Sequence, residues 1–128
     1  MEGDLGAGKT TLVQGLAQGW GSLDAVSSPT FVLVNEYRRP DAGQLFHMDA
    51  YRLESAAEAA ELDLYSMLAR GTLIVEWPER IMSILPNERL WISLDYRAEE
   101  QRQMNFRANG AHYDELLAKL QANMFGAT

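Results

Sequence analysis

Cysteine is absent from the chain, which excludes disulfides and cysteine-ligated metal sites and suits the cytoplasmic location expected here. Long apolar runs are missing as well. None approaches the roughly 20 residues a bilayer-spanning helix requires, so no membrane insertion is expected. The first ten residues hold acids and glycines where a secretory signal would place an apolar stretch. Basic charge is in deficit: 11 Lys and Arg face 18 Asp and Glu, for a net charge of -7. The arginines are scattered, with Arg38-Arg39 the one adjacent pair among Arg70, Arg80, Arg89, Arg97, Arg102 and Arg107. Proteins that grip a phosphate backbone usually gather such residues on one face, so direct sequence-specific nucleic-acid reading is not expected.

What is present fits one folded domain spanning residues 1–128. The apolar fraction of 47% and charged fraction of 23% are ordinary for a folded chain, and 128 residues suffice for a hydrophobic core. Neither an internal repeat nor a low-complexity tract divides it.

The strongest local pattern stands at the start, Gly3-Asp4-Leu5-Gly6-Ala7-Gly8-Lys9-Thr10, a P-loop. Its glycines matter because the backbone must curl around a phosphate and turn successive N–H groups inward. Asp4, Leu5, Gly6, Ala7, Gly8, Lys9, Thr10 and Thr11 are therefore the expected nucleotide-binding residues. Lys9 is expected to reach the β- and γ-phosphates, and the Thr10 hydroxyl to ligate Mg²⁺. Leu12, Val13, Leu16, Ala17 and Trp20 recur at helical spacing, so a helix follows whose N-terminus faces the anion. Gly19 and Gly21 close it.

Downstream, Phe31–Tyr37 reads as a strand, and Arg39–Gly43 as a turn into a second strand over Gln44–Asp49. Ser55 and Glu58 match a capping box opening a helix that runs to Arg70, with Gly71 stopping it. Thr72–Glu76 is a nearly continuous apolar run ending in one carboxylate, the pattern of a strand buried on both faces with function at its C-terminal end. Leu90–Tyr96 and Gln103–Ala108 are further strands, and His112–Ala122 a closing amphipathic helix. The fold class expected is α/β: a three-layer αβα sandwich with helices on both faces of a mainly parallel sheet, plus an antiparallel hairpin.

A P-loop alone binds phosphate; hydrolysis also needs an acid near the metal and a positioned water. Glu76, ending the most apolar run, is the candidate acid. Asp49 ends another strand, although aspartate there also serves turns. Thr30, in the loop after the first helix, stands where switch loops bring a hydroxyl toward Mg²⁺. His47, between Phe46 and Met48, reads as a packed, hydrogen-bonded side chain. Trp77 either stacks on a base or packs in the core.

Four segments in this order resemble the TsaE family: Gly3–Thr11 (GDLGAGKTT), Ser28–Tyr37 (SPTFVLVNEY), His47–Leu53 (HMDAYRL) and Val75–Arg80 (VEWPER). The resemblance implies an ATPase that does not itself modify tRNA. Such proteins act through a TsaD-like transferase and its TsaB-like paralogue, and support formation of threonylcarbamoyladenosine beside the tRNA anticodon. It also implies catalytic roles for Lys9, Thr30, Asp49 and Glu76, with Thr10 and Glu76 serving Mg²⁺ and Asp49 ordering water or the metal shell. Two other classes use the same loop, a small-molecule kinase and a non-hydrolysing, nucleotide-dependent interaction module. Members of the family carry a strand before the loop, whereas here only Met1 and Glu2 precede Gly3. The 128-residue chain is accordingly expected to be N-terminally short, less stable and a poor binder of ATP.

Overall fold

The computed structural model describes residues 1–3, 8–24, 34–51, 53, 63–98 and 101–125. Within them the order is α1 (Lys9–Trp20), β1 (Val34–Arg38), β2 (Gln44–Asp49), α2 (Leu64–Arg70), β3 (Thr72–Glu76), a 3-10 helix (Pro78–Ile84), β4 (Arg89–Ala98), β5 (Gln101–Asn109) and α3 (Ala111–Phe125).

The β1–β2 hairpin turns where Arg39–Gly43 leads the sequence to expect it. Asp41 Oδ1 accepts the Gly43 N–H at 2.9 Å and Arg39 Nε at 2.7 Å, closing the turn. β2 then pairs antiparallel with β1 and parallel with β3, placing Asp49 opposite Glu76 at the shared C-terminal edge. Alternation along β2 sorts its side chains between two cores. Leu45 joins Tyr37 and Ala17 of α1, with Trp20 and Ile74 packed against them. Phe46 and Met48 face the other way, toward Leu64 and Met67 of α2 and Ile81 of the 3-10 helix. Helices thus cover both faces of the β1–β2–β3 sheet, because its two sides are both apolar.

β4 and β5 form a separate antiparallel hairpin. Met1 and Glu2 tie the two sheets together. The Met1 α-amino group donates to Val75 O at 2.7 Å, and the Trp77 N–H donates back to Met1 O at 3.1 Å. On the other side the Glu2 N–H donates to Ile92 O at 2.8 Å, and the Leu94 N–H to Glu2 O at 2.9 Å, a parallel bridge. Trp91 Nε1 adds a bond to the Glu2 carboxylate at 3.0 Å. Short of this stitch, β3 and β4 flank a cleft of about 100 Å³ lined by Leu73, Val75, Leu90, Trp91 and Tyr113.

Several expectations need correction. Among the described residues parallel pairing joins β2 to β3 and Glu2 to Ser93 of β4, whereas both hairpins are antiparallel; the strands are mixed where a mainly parallel sheet was expected. The helix expected from Ser55 to Arg70 does not run through Asp63. That residue is left-handed at φ 51, and its side chain accepts the Ser66 N–H at 3.2 Å, so it caps a new helix at Leu64. β3 is buried only at Val75 and Glu76, with Thr72 exposed. α3 is present, but none of its residues is fully buried; Tyr113, Leu117 and Leu120 are half-covered. Leu16, expected on the apolar face of α1, is exposed. The Phe31–Leu33 part of the first strand and the Ser55–Glu58 box lie outside the described residues.

Two measurements probe the stitch. Burial pushes the Met1 ammonium down from 8.0 to about 6, even though Glu79, Glu76 and Glu2 pull it up. Between those values the unfolded chain binds more protons than the folded one, so this group makes stability rise with pH and withdraws that stability as pH falls through 6. Two pKa units correspond to about 2–3 kcal/mol. Urea unfolding of the 128-residue chain is expected to shift to higher midpoint from pH 6 to pH 8, and a flat or falling midpoint would show that the amine is not held in the interior. A Cβ on Gly3 would sit 2.5 Å from Leu94 O at a φ of +150°. Gly3→Ala is therefore expected to cost about 1–3 kcal/mol, read as a melting temperature lower by several degrees.

Candidate functional site

Gly8 caps α1 with φ 104 and ψ 17, a left-handed conformation that glycine adopts without a Cβ penalty. Gly8 makes no side-chain cap bond to the helix. Lys9, the first helical residue, is 6% exposed. Its Nζ donates to Gly3 O and lies 4.1 Å from the centroid of the Trp77 ring. A buried ammonium costs several kcal/mol unless partnered, and the carbonyl and the π face meet part of that cost.

Trp77 follows β3 directly and occupies φ 59, ψ 48, an uncommon conformation for a bulky residue and one that clusters at functional sites. Its N–H is held by Met1 O, and its ring meets Tyr51 at 4.9 Å between centroids. Backbone stitching and ring contact together place the indole beneath the lysine.

Glu76 and Asp49 end the parallel strands β3 and β2 in direct register. The pairing continues past the strands, where the Ala50 N–H donates to Glu76 O at 3.0 Å. Asp49 Oδ1 accepts the Tyr51 N–H at 3.0 Å, a local turn contact that fixes one carboxylate oxygen. Glu76 is 4% exposed, and its Oε2 lies 2.5 Å from His47 Nε2. His47 is fully buried, with Nδ1 3.4 Å from the Tyr37 hydroxyl. Burying a carboxylate this deeply demands a hydrogen-bond partner, and the ring supplies one.

Lys9 rests on Trp77, the residue after Glu76 in the chain, and Asp49 lies opposite Glu76 at the end of β2. Gly8 and Lys9 stand at the head of α1, Thr10 is half-buried in its first turn, and Thr11 is exposed. Asp4, Leu5, Gly6, Ala7 and Thr30 lie outside the described residues. Two participants carried little signal in the sequence. His47 is packed and hydrogen-bonded, as its setting between Phe46 and Met48 suggested, but its partner is the candidate acid itself. The i, i+2 spacing of His47 and Asp49 puts both on one strand face, and only the β2–β3 register shows that Glu76 shares it. Trp77 packs against the core cluster that includes Phe46, Met48 and Leu53, one of the two readings of its sequence, and it also carries the loop lysine.

The family described as threonylcarbamoyl adenosine biosynthesis protein TsaE matches residues 1–104. The tRNA threonylcarbamoyladenosine biosynthesis protein TsaE of Bacillus subtilis is 42% identical over 120 residues, covering 94% of this chain and 75% of its own length. Its counterpart in a Nostoc species is 38% identical over 122 residues, with 92% and 74% covered. The crystal structure of YdiB from Bacillus subtilis superposes with a TM-score of 0.74 at 36% identity, over 95% of this chain and 74% of that one. Matched across most of its length in both sequence and fold, the chain belongs to the TsaE family of tRNA threonylcarbamoyladenosine biosynthesis proteins.

Proposed function

We propose that this protein is a Mg²⁺-dependent ATPase that supports threonylcarbamoyladenosine formation on tRNA by acting on a TsaD-like transferase with its TsaB-like paralogue. The observation that carries this reading is that Lys9, at the head of α1, lies over Trp77, the residue that follows Glu76, while Asp49 is paired with Glu76 at the ends of β2 and β3. Ligands of open α/β sheets bind outside the carboxyl ends of the strands, and a helix N-terminus favours an anion there. Helices on both faces of the sheet support the P-loop sandwich architecture.

In this scheme the loop amides and Lys9 hold the phosphates, the ammonium exchanging the Trp77 face for the anion. Thr10 and Glu76 offer hard oxygens of the kind Mg²⁺ prefers. Among the described residues no three His, Asp or Glu side chains converge as a metal cage, and Mg²⁺ commonly takes one or two carboxylates and completes its shell from phosphate and water. When bound, the ion neutralises charge on the phosphates. Asp49, with Oδ1 held by the Tyr51 N–H, has its other oxygen for ordering the attacking water. The acidic balance of the chain suits a partner with a basic patch. Among the described residues no helix is long and apolar enough to cross a membrane; a cytoplasmic site of action fits the tRNA substrate of the pathway.

One observation favours a second reading, that of a nucleotide-dependent interaction module without hydrolysis: Glu76 is already engaged by a buried histidine. Acceptor-free, single-turnover phosphate release from Mg-ATP separates the readings, and also excludes a kinase, which would be nearly silent without an acceptor. Glu76→Ala is expected to slow release about 100-fold while Mg-ATP binding persists; equal rates favour the module. Lys9→Ala is expected to weaken ATP binding at least about tenfold, the loss expected when one charged phosphate contact is removed. Unchanged affinity would remove Lys9 from the phosphate site.

A further inference from the structure

Tyr37, His47 and Glu76 form a row across one face of three adjacent strands. The Tyr37 hydroxyl lies 3.4 Å from His47 Nδ1, and His47 Nε2 2.5 Å from Glu76 Oε2. Register explains the row: Tyr37 and His47 project to the same side of the β1–β2 hairpin, and Glu76 is the diagonal neighbour of His47 across the parallel pair. His47 is fully buried, so its ring orientation is set by packing. In the neutral ring, an Nε2–H that donates to the carboxylate leaves Nδ1 to accept from the Tyr37 hydroxyl.

A glutamate carboxylate rotates broadly about its last torsion, so a bare Glu76 would present its oxygens over a wide arc. Committing Oε2 to His47 removes that freedom and leaves Oε1 as the oxygen that can face a metal or a water. We infer that His47, oriented by Tyr37, is a positioning residue that aims the Glu76 carboxylate for ATP hydrolysis. The inference rests on the proposed role of Glu76 and extends it to a residue that itself touches neither nucleotide nor water. Partners in such outer positions typically change activity 10–100-fold when removed, a loss that appears in turnover more than in substrate affinity.

A double-mutant cycle tests it. Phosphate release, the KM for Mg-ATP and the melting temperature are measured for His47→Leu, His47→Gln, Glu76→Gln and the His47→Leu/Glu76→Gln pair. His47→Leu is expected to lower kcat about 10–100-fold, with KM within about threefold of the wild type. His47→Gln, which keeps an N–H donor, is expected to regain most of that loss. In the Glu76→Gln background, His47→Leu is expected to have no further effect on kcat. Wild-type turnover in folded His47→Leu, equal loss in the Leu and Gln variants, or the same loss in both Glu76 backgrounds would each overturn the assignment. If His47→Leu does not fold, Tyr37→Phe decides. A kcat lower by about threefold or more at an unchanged melting temperature supports the row, and an unchanged kcat overturns it. A wild-type chain that releases no phosphate would overturn the ATPase reading itself, a result distinct from turnover that is indifferent to His47.

Discussion

Four backbone hydrogen bonds made by Met1 and Glu2 link the β1–β2–β3 sheet to the β4–β5 hairpin, beside a shared apolar cluster of Val13, Ile74, Ile92 and Leu94. They reach Val75 and Trp77 on one side, Ile92 and Leu94 on the other, and so bridge two sheets that share no other strand pairing among the described residues. The same residues set the site. Met1 O anchors the N–H of Trp77 in its left-handed turn, and Gly3 O receives the Lys9 ammonium. Linkage of the sheets and the placement of the buried lysine are thus one constraint. The tight approach of Gly3 to Leu94 O and the lowered basicity of the Met1 amine both follow from chain forced between two strands.

Around that stitch the electrostatics are arranged by burial. An ammonium and a carboxylate are both nearly inaccessible, and neither is left to a bare apolar core. Lys9 is met by a carbonyl and an aromatic face, Glu76 by an imidazole. Such pairings contribute little net stability, because desolvation opposes the attraction. Their use lies in orientation. The lysine contacts lie at the head of α1, whereas the histidine contact is buried within the sheet.

Much of this was legible in the residues. The P-loop pattern and the helix after it, β2, β3 and the hairpin turn follow from glycine placement and apolar periodicity, since those patterns act locally. Glu76 stood out because a lone carboxylate ended an apolar run. Pairing was not legible. That β2 and β3 run parallel and in register, that β4 and β5 stand apart as a hairpin, and that Met1 and Glu2 bridge the two sheets depend on contacts between distant segments. The break at Asp63 was hidden for a related reason: the continuous helical pattern outweighed a single capping side chain whose preference shows only when its backbone is seen to turn left-handed.

By itself the sequence determined the groups this protein has available: a glycine-rich P-loop pattern, a lysine, two strand-end carboxylates and the order of motifs that resembles its family. Only the tertiary structure decided how those groups are used. It assigned His47 to Glu76 and Trp77 to Lys9, because side chains at i, i+2 on one strand acquire their partners from the register of the next, and register is a property of the assembled sheet.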